Sequence, residues 1–315
     1  PETITGITFA DGTFVFDGTE KSLAITGTLP AGASVDYANN SRIEVGTQEV
    51  TAKISGSNFT TLVLTADLTI TPAELAGITF ADGTFVFDGS AKSLAISGTL
   101  PSGTSVEYAN NSRTDVGTQE VTATISGSNF TTLVLTADLT ITPAKLVGIT
   151  FADASFVFDG SAKSLAISGT LPEGASVEYS NNSRTAVGTQ EVTATITGSN
   201  FETLILTADL TITPETITGI TFADGIFVFD GSAKSLAISG TLPSGTSVEY
   251  ANNSRTDVGT QEVTATISGS NFTTLVLTAD LTITPAKLVG ITFADASFVF
   301  DGSAKSLAIS GTLPE

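Results

Sequence analysis

The side chains with the most chemical reach in this sequence are carboxylates held at fixed places. Asp11, Asp17 and Asp67 return as Asp82, Asp88 and Asp138, 71 residues on, and acidic turns in repeated chains are sites where calcium can be held. The spacing suits that chemistry poorly. Neither a D-x-D-x-D-G loop nor a Gly-rich nonapeptide is present, and Asp11-Gly12 and Asp17-Gly18 are explained as well by side-chain-bonded turns. The favoured reading makes these aspartates structural, Asp11, Asp17 and their repeats as turn residues, with no cofactor and no resident metal. Calcium is the alternative that they would serve.

Other constellations are weaker. Asp11 and Asp17 flank one short run and could in principle share acid and base work, but a glycosidase also needs a cleft, and the apolar residues here are consumed by a core. Lys21, Lys92, Lys163, Lys234 and Lys305 hold one fixed place. A crosslink from such a lysine to Asn58, assisted by Glu49, would need a desolvated amine, whereas a lysine between a turn and a serine reads as a solvated strand edge. Asn39-Asn40-Ser41 and Asn58-Phe59-Thr60 match the N-glycosylation sequon, a short and unspecific pattern. The alternating Thr61, Thr65, Thr69 and Thr71 would make a hydroxyl surface for ice or sugar, yet β-propensity alone places threonine on a strand's solvent face. Among the aromatics, Phe14 and Phe16 share a face and are expected in the core. The chain has no His and no Cys, which removes histidine-based triads, thiolate and imidazole metal sites, and disulfides.

These residues sit in a strict repeat. Gly6-Ile7-Thr8-Phe9 returns at Gly77, Gly148, Gly219 and Gly290, and Tyr37 at Tyr108, Tyr179 and Tyr250. The 315 residues therefore divide into repeats at 1–71, 72–142, 143–213 and 214–284, with a truncated fifth at 285–315. The start at Pro1 and the stop inside a repeat read as the ends of an excerpt or a processed chain. A net charge of −20, from 32 acidic and 12 basic residues, opposes nucleic acid and anionic membrane surfaces. No apolar run is long enough to insert in a membrane.

Within a repeat the pattern is all-β. Ile4–Phe9, Thr13–Phe16, Leu23–Ile25 and Ser34–Tyr37 are short runs separated by Gly, Pro, Asn and Asp. Gln48–Ile54 alternates strictly, placing Val50, Ala52 and Ile54 on one face, and Leu62, Leu64, Ala66, Leu68 and Ile70 keep the same phase up to Thr71-Pro72. That spacing predicts a sandwich or barrel. The linker position occupied by Ile4, Leu75, Leu146, Ile217 and Leu288 stays apolar and is expected to be buried. A module of this size buries only about 60% of its unfolded surface, so contact with the neighbouring repeats is expected to matter. With no Gly- or Ser-rich spacer between modules, the array is expected to be a stiff, extended rod.

Phe16-Asp17-Gly18, Lys21-Ser22-Leu23, Gly27-Thr28-Leu29-Pro30, Val45-Gly46-Thr47-Gln48-Glu49-Val50-Thr51-Ala52 and Leu64–Ile70 resemble the MBG repeats of large bacterial surface proteins, which usually carry Tyr-Asp-Gly in place of Phe-Asp-Gly. The resemblance implies an immunoglobulin-like β-sandwich module, with a β-grasp-like module as the alternative. It also implies an extracellular place at the bacterial cell surface, in adhesin-type proteins. It brings no catalytic or binding residues. The expectation is a tandem array, not an enzyme, that serves as a structural stalk or spacer for a terminal binding domain. Its partners are then its own neighbouring repeats. The alternatives are multivalent ligand-binding repeats, for a glycan, a host protein or a surface, and a filament or surface-layer subunit that self-associates laterally.

Overall fold

A computed structural model describes residues 1–312; the last three residues of the truncated fifth repeat lie outside the described residues. The first repeat holds β1 (Glu2–Thr3), β2 (Gly12–Val15), β3 (Ser34–Ala38), β4 (Gly46–Ser55), β5 (Phe59–Thr60) and β6 (Leu62–Thr71). β4 and β6, the two runs with unbroken alternation, form the long central hairpin, with Val50 opposite Ala66 and Ile54 opposite Leu62. β3 pairs antiparallel with β4 on one side. On the other side β2 runs parallel to β6, Gly12 opposite Leu68 and Val15 opposite Thr71. The order β2-β6-β4-β3 recurs in every complete repeat.

That order forces a crossing. Between β2 and β3 the chain must travel from one edge of the sheet to the other, and residues 16–33 do so across the apolar face. They form the second layer together with residues 4–11. Leu23 packs on Val50, Ala66 and Leu68, with Phe9 and Phe14 beside them. Ile4, Ile7 and Ile54 make a second cluster with Ile25, Leu29, Val35 and Phe59. Val50, Ala52 and Ile54 are fully buried, as the alternation requires. Each such aliphatic side chain contributes about 1.5–3 kcal/mol by leaving water.

The chain is thus an array of small all-β sandwich modules, and the second layer departs from the sequence expectation. Ile4–Phe9 and Leu23–Ile25 form no strand; the backbones of these two stretches pair only at the bridge Thr8↔Thr26, just past Ile25. Side chains replace the missing ladder. The Asn40 amide accepts from Leu23 N–H (2.6 Å) and donates to Leu23 C=O (2.8 Å), and the Tyr37 hydroxyl accepts from Ile25 N–H (3.0 Å). Nor does Asp11-Gly12 turn the chain. Gly12 opens β2, and Asp11 Oδ1 accepts from Asp67 N–H (2.8 Å), extending the parallel pairing by one side chain. No helix is present among the described residues, so the cover that a β-grasp sheet takes from a helix is supplied here by coil. The linker position is buried at Ile4 and Ile217 (both 4% exposed), half-buried at Leu75 and Leu146, and open at Leu288 (66%).

Two compact units contain these modules. One comprises residues 1–147 with 172–176 and 197–204; the other comprises residues 148–171, 177–196 and 205–315. In the first, the second repeat adds β7 (Gly83–Val86), β8 (Thr104–Ala109), β9 (Gly117–Gly127) and β10 (Phe130–Thr142), where the equivalents of β5 and β6 merge through an irregularity between Phe130 and Leu133. In the second, the fourth repeat has its long strands at Gly259–Gly269 and Phe272–Thr284 in the same antiparallel register. Residues 285–312 hold no strand, only the bridge Thr292↔Ser310. Phe298 and Phe300 are exposed there, without partner strands.

Candidate functional site at the repeat junctions

The side chains singled out in the sequence are engaged in turns and strand pairing. Asp17 Oδ1 accepts from the N–H (2.9 Å) and hydroxyl (2.6 Å) of Thr19, while Oδ2 accepts from Lys21 Nζ (2.6 Å). Asp88 is held identically by Ser90 and Lys92. Asp11 and Asp82 accept from the backbone of Asp67 and Asp138. Among the described residues no three carboxylates gather as a metal site. The fixed lysine is committed to this turn, and its backbone bridges Arg42. The threonine hydroxyls pair across the hairpin, Thr47 with Thr69 at 2.9 Å and Thr118 with Thr140 at 2.9 Å.

The Asp–Lys turns carry a pH signature. The Lys92 ammonium, then the Ser90 hydroxyl and N–H, hold the Asp88 carboxyl well below the usual carboxylate range. A group whose pKa is lower folded than unfolded lends stability that is complete above its unfolded pKa and is lost as pH falls toward the folded value. The chain is therefore expected to lose stability steadily as pH falls from about 4 toward 2. Asp88→Asn, with one titrating group fewer, is expected to flatten that slope in denaturant midpoints measured from about pH 5 to pH 2. Because the turn is open to solvent the effect is small, and equal slopes in the two proteins would refute it.

What the fold does assemble lies where one repeat meets the next. Phe14 and Phe16 were expected together in the core, and only Phe14 is there. Phe16 N–H still donates to Thr71 C=O (2.9 Å) at the end of β6, but its ring lies past the repeat's own core and meets Phe130 of the second repeat edge to face, 5.5 Å between centroids. Phe130 follows Asn129 in the hairpin turn of that repeat. The Asn129 amide reaches back to the first repeat: its Oδ1 accepts from Val45 N–H (3.0 Å) and its Nδ2 donates to the Glu44 carboxylate. The orientation of the amide follows, because a backbone N–H can only donate and a carboxylate can only accept.

The loop that offers Val45 is held from within its own repeat. The Arg42 guanidinium donates from Nε to Glu44 C=O (2.8 Å) and from Nη2 to Val45 C=O (2.8 Å). Gly46 closes the loop at φ +133°, and a Cβ there would run into that guanidinium. An open groove beside the contact is lined by Phe16, Asp17, Pro101, Ser102 and Phe130.

The arrangement is rebuilt at the next two junctions. Phe87 meets Phe201 at 5.5 Å, and Asn200 joins Val116 N–H (2.9 Å) to the Asp115 carboxylate (3.0 Å). Phe158 meets Phe272 at 5.5 Å, and Asn271 accepts from Val187 N–H (3.0 Å). The sequence marked Asn58 and its equivalents as turn, sequon or crosslink residues and not as a contact between repeats, and nothing local distinguishes a clasping asparagine from a turn asparagine.

The MBG domain family matches residues 5–74, 76–145, 147–216 and 218–287, each match starting 71 residues after the last. The chain belongs to the MBG domain family. Each MBG repeat therefore carries one half of a junction at its Phe16-type and Val45-type positions and the other half at its Asn58-type turn. No curated protein matches the chain. Among solved structures, extracellular cadherin domains 3-6 of protocadherin gamma B2 align at 11% identity over 90% of this MBG array and 100% of their own chain, with a TM-score of 0.29. Immunoglobulin domains 1-4 of sidekick-1 align at 9% identity over 87% and 96%, with a TM-score of 0.23. Likenesses this weak carry no argument about fold, place or partner.

Proposed function

We propose that this MBG array is a structural spacer: an extracellular stalk segment of a bacterial cell-surface or secreted adhesin-type protein that projects a terminal binding domain. The observation that carries the reading is the junction itself, one phenylalanine pair and one asparagine clasp built three times over from the same positions. Side chains, and not the Thr-Pro linkers alone, then tie each repeat to its neighbour, and the partners of a repeat are the repeats beside it. Reach grows with copy number and acidic charge keeps the surface soluble. The reading includes no catalysis: the chain has neither His nor Cys, and the recurring aspartates Asp11 and Asp17 are spent on strand pairing and turns.

Small-angle scattering of the whole chain, first with calcium and then with a chelator, tests this. The expected result is an extended particle whose scattering does not change on chelation. A compact particle would end the spacer reading. Collapse on chelation would make the aspartates calcium ligands and the stiffness a property of the ion.

A further inference from the structure

The three junctions between complete repeats are not equal, and one of them lacks a carboxylate. Where the first repeat has Glu44 and the second has Asp115, the third has Ala186. Glu44 and Asp115 each accept the second arm of the clasping asparagine. Asn271 keeps its bond from Val187 N–H (3.0 Å), but alanine has no acceptor to offer its Nδ2. The loop behind the contact is altered as well. Arg42 and Arg113 donate from Nε to the carbonyl of residue 44 or 115 at 2.8 Å, whereas Arg184 Nε is buried without a partner. Only its Nη1 and Nη2 bonds, to Gln190 (3.3 Å) and Val187 C=O (2.9 Å), remain.

We propose that the junction between the third and fourth repeats is a built-in compliant joint, the first of the three between complete repeats to open while the repeats on either side stay folded. This deepens the spacer reading and rests on it. Both departures weaken the same element, the loop at residues 184–187 that presents Val187 N–H to Asn271. One removes an acceptor across the junction, and the other leaves the loop's own anchor short of a bond. The phenylalanine pair is retained, so the joint closes, but with one polar arm in place of two. The short strand Glu215–Thr216 does not compensate, because it pairs with Phe272 and Thr273 inside the fourth repeat.

Amide hydrogen exchange on the intact chain reads the joint directly, since Val45, Val116 and Val187 N–H are each bonded across one junction. Val187 is expected to exchange about three- to tenfold faster than Val116, the equivalent of one solvent-accessible hydrogen bond. Ala186→Asp is expected to slow Val187 toward the Val116 rate, and Asp115→Ala to speed Val116 toward the Val187 rate. Val192 and Val121, fully buried in their sheets, are expected to keep their rates throughout. Equal rates at the three junctions, or no response to Ala186→Asp, would overturn the joint. So would a Val187 rate that tracks Val192, because the opening would then be unfolding of the whole repeat. None of these outcomes touches the scattering test, so the joint and the spacer fail separately.

Discussion

Replacing Phe16 and Asn129 together by alanine is expected to uncouple the first repeat from the second while leaving both folded. Neither side chain belongs to the inner clusters built on Val50 and Ile54. The edge-to-face ring contact contributes about 0.5–1.5 kcal/mol beyond the area it buries. Loss of the asparagine leaves the half-buried Val45 N–H without its acceptor, which costs about 1–3 kcal/mol. The chain contains no cysteine, so spin labels placed at exposed Val63 and Val134 report on this junction alone. A narrow distance distribution in the parent chain is expected to broaden in the double variant, with unchanged circular dichroism. If the distribution stays as narrow, the clasp does not hold the junction.

The second large effect is expected inside a repeat. Asn111 closes the second layer by accepting from Leu94 N–H (2.7 Å) and donating to Leu94 C=O (2.8 Å). Asn111→Ala leaves both backbone groups unpaired in a half-buried place, at about 2–4 kcal/mol for two such groups. That is a large share of the stability of a module this small. Asn111→Asp keeps the acceptor but sets a carboxylate against the Leu94 carbonyl, so it is expected to destabilise too. In denaturant titrations of the whole chain the second repeat is expected to melt ahead of the rest, as a separate early transition. A single transition at the parent midpoint would show that the asparagine bonds contribute nothing net.

Much of the fold was legible from residue order. Val50, Ala52 and Ile54, and then Leu62 to Ile70, reveal their buried face because strand geometry turns every second side chain the same way. The turn at Asn39 was legible for a similar local reason, and it adopts φ 59°. The run Leu23–Ile25 was misread as a strand because its composition is strand-like, while its hydrogen-bond partners are the side chains of Asn40 and Tyr37 and not a neighbouring backbone. The parallel pairing of β2 with β6 was not legible at all, since the alternation of either strand is the same whichever way its partner runs. Phe16 was assigned to the core on shared periodicity with Phe14, and the alternation does run on to a half-buried Phe16, but the cover comes from Phe130 of the next repeat, and periodicity does not say which repeat supplies the partner.

By itself, the sequence determined that the chain is a tandem array, that each repeat is all-β, which faces of the long strands are buried, and that no histidine or thiol chemistry exists here. All of these follow from repetition, composition and period-two alternation, which are local. The tertiary structure alone decided which polar side chains do the joining. Asp11 meets a backbone group 56 residues away and Asn129 one that is 84 residues away. Which donor reaches which acceptor over such separations depends on how the chain crosses its own sheet and where the next repeat comes to rest, and no local pattern encodes that.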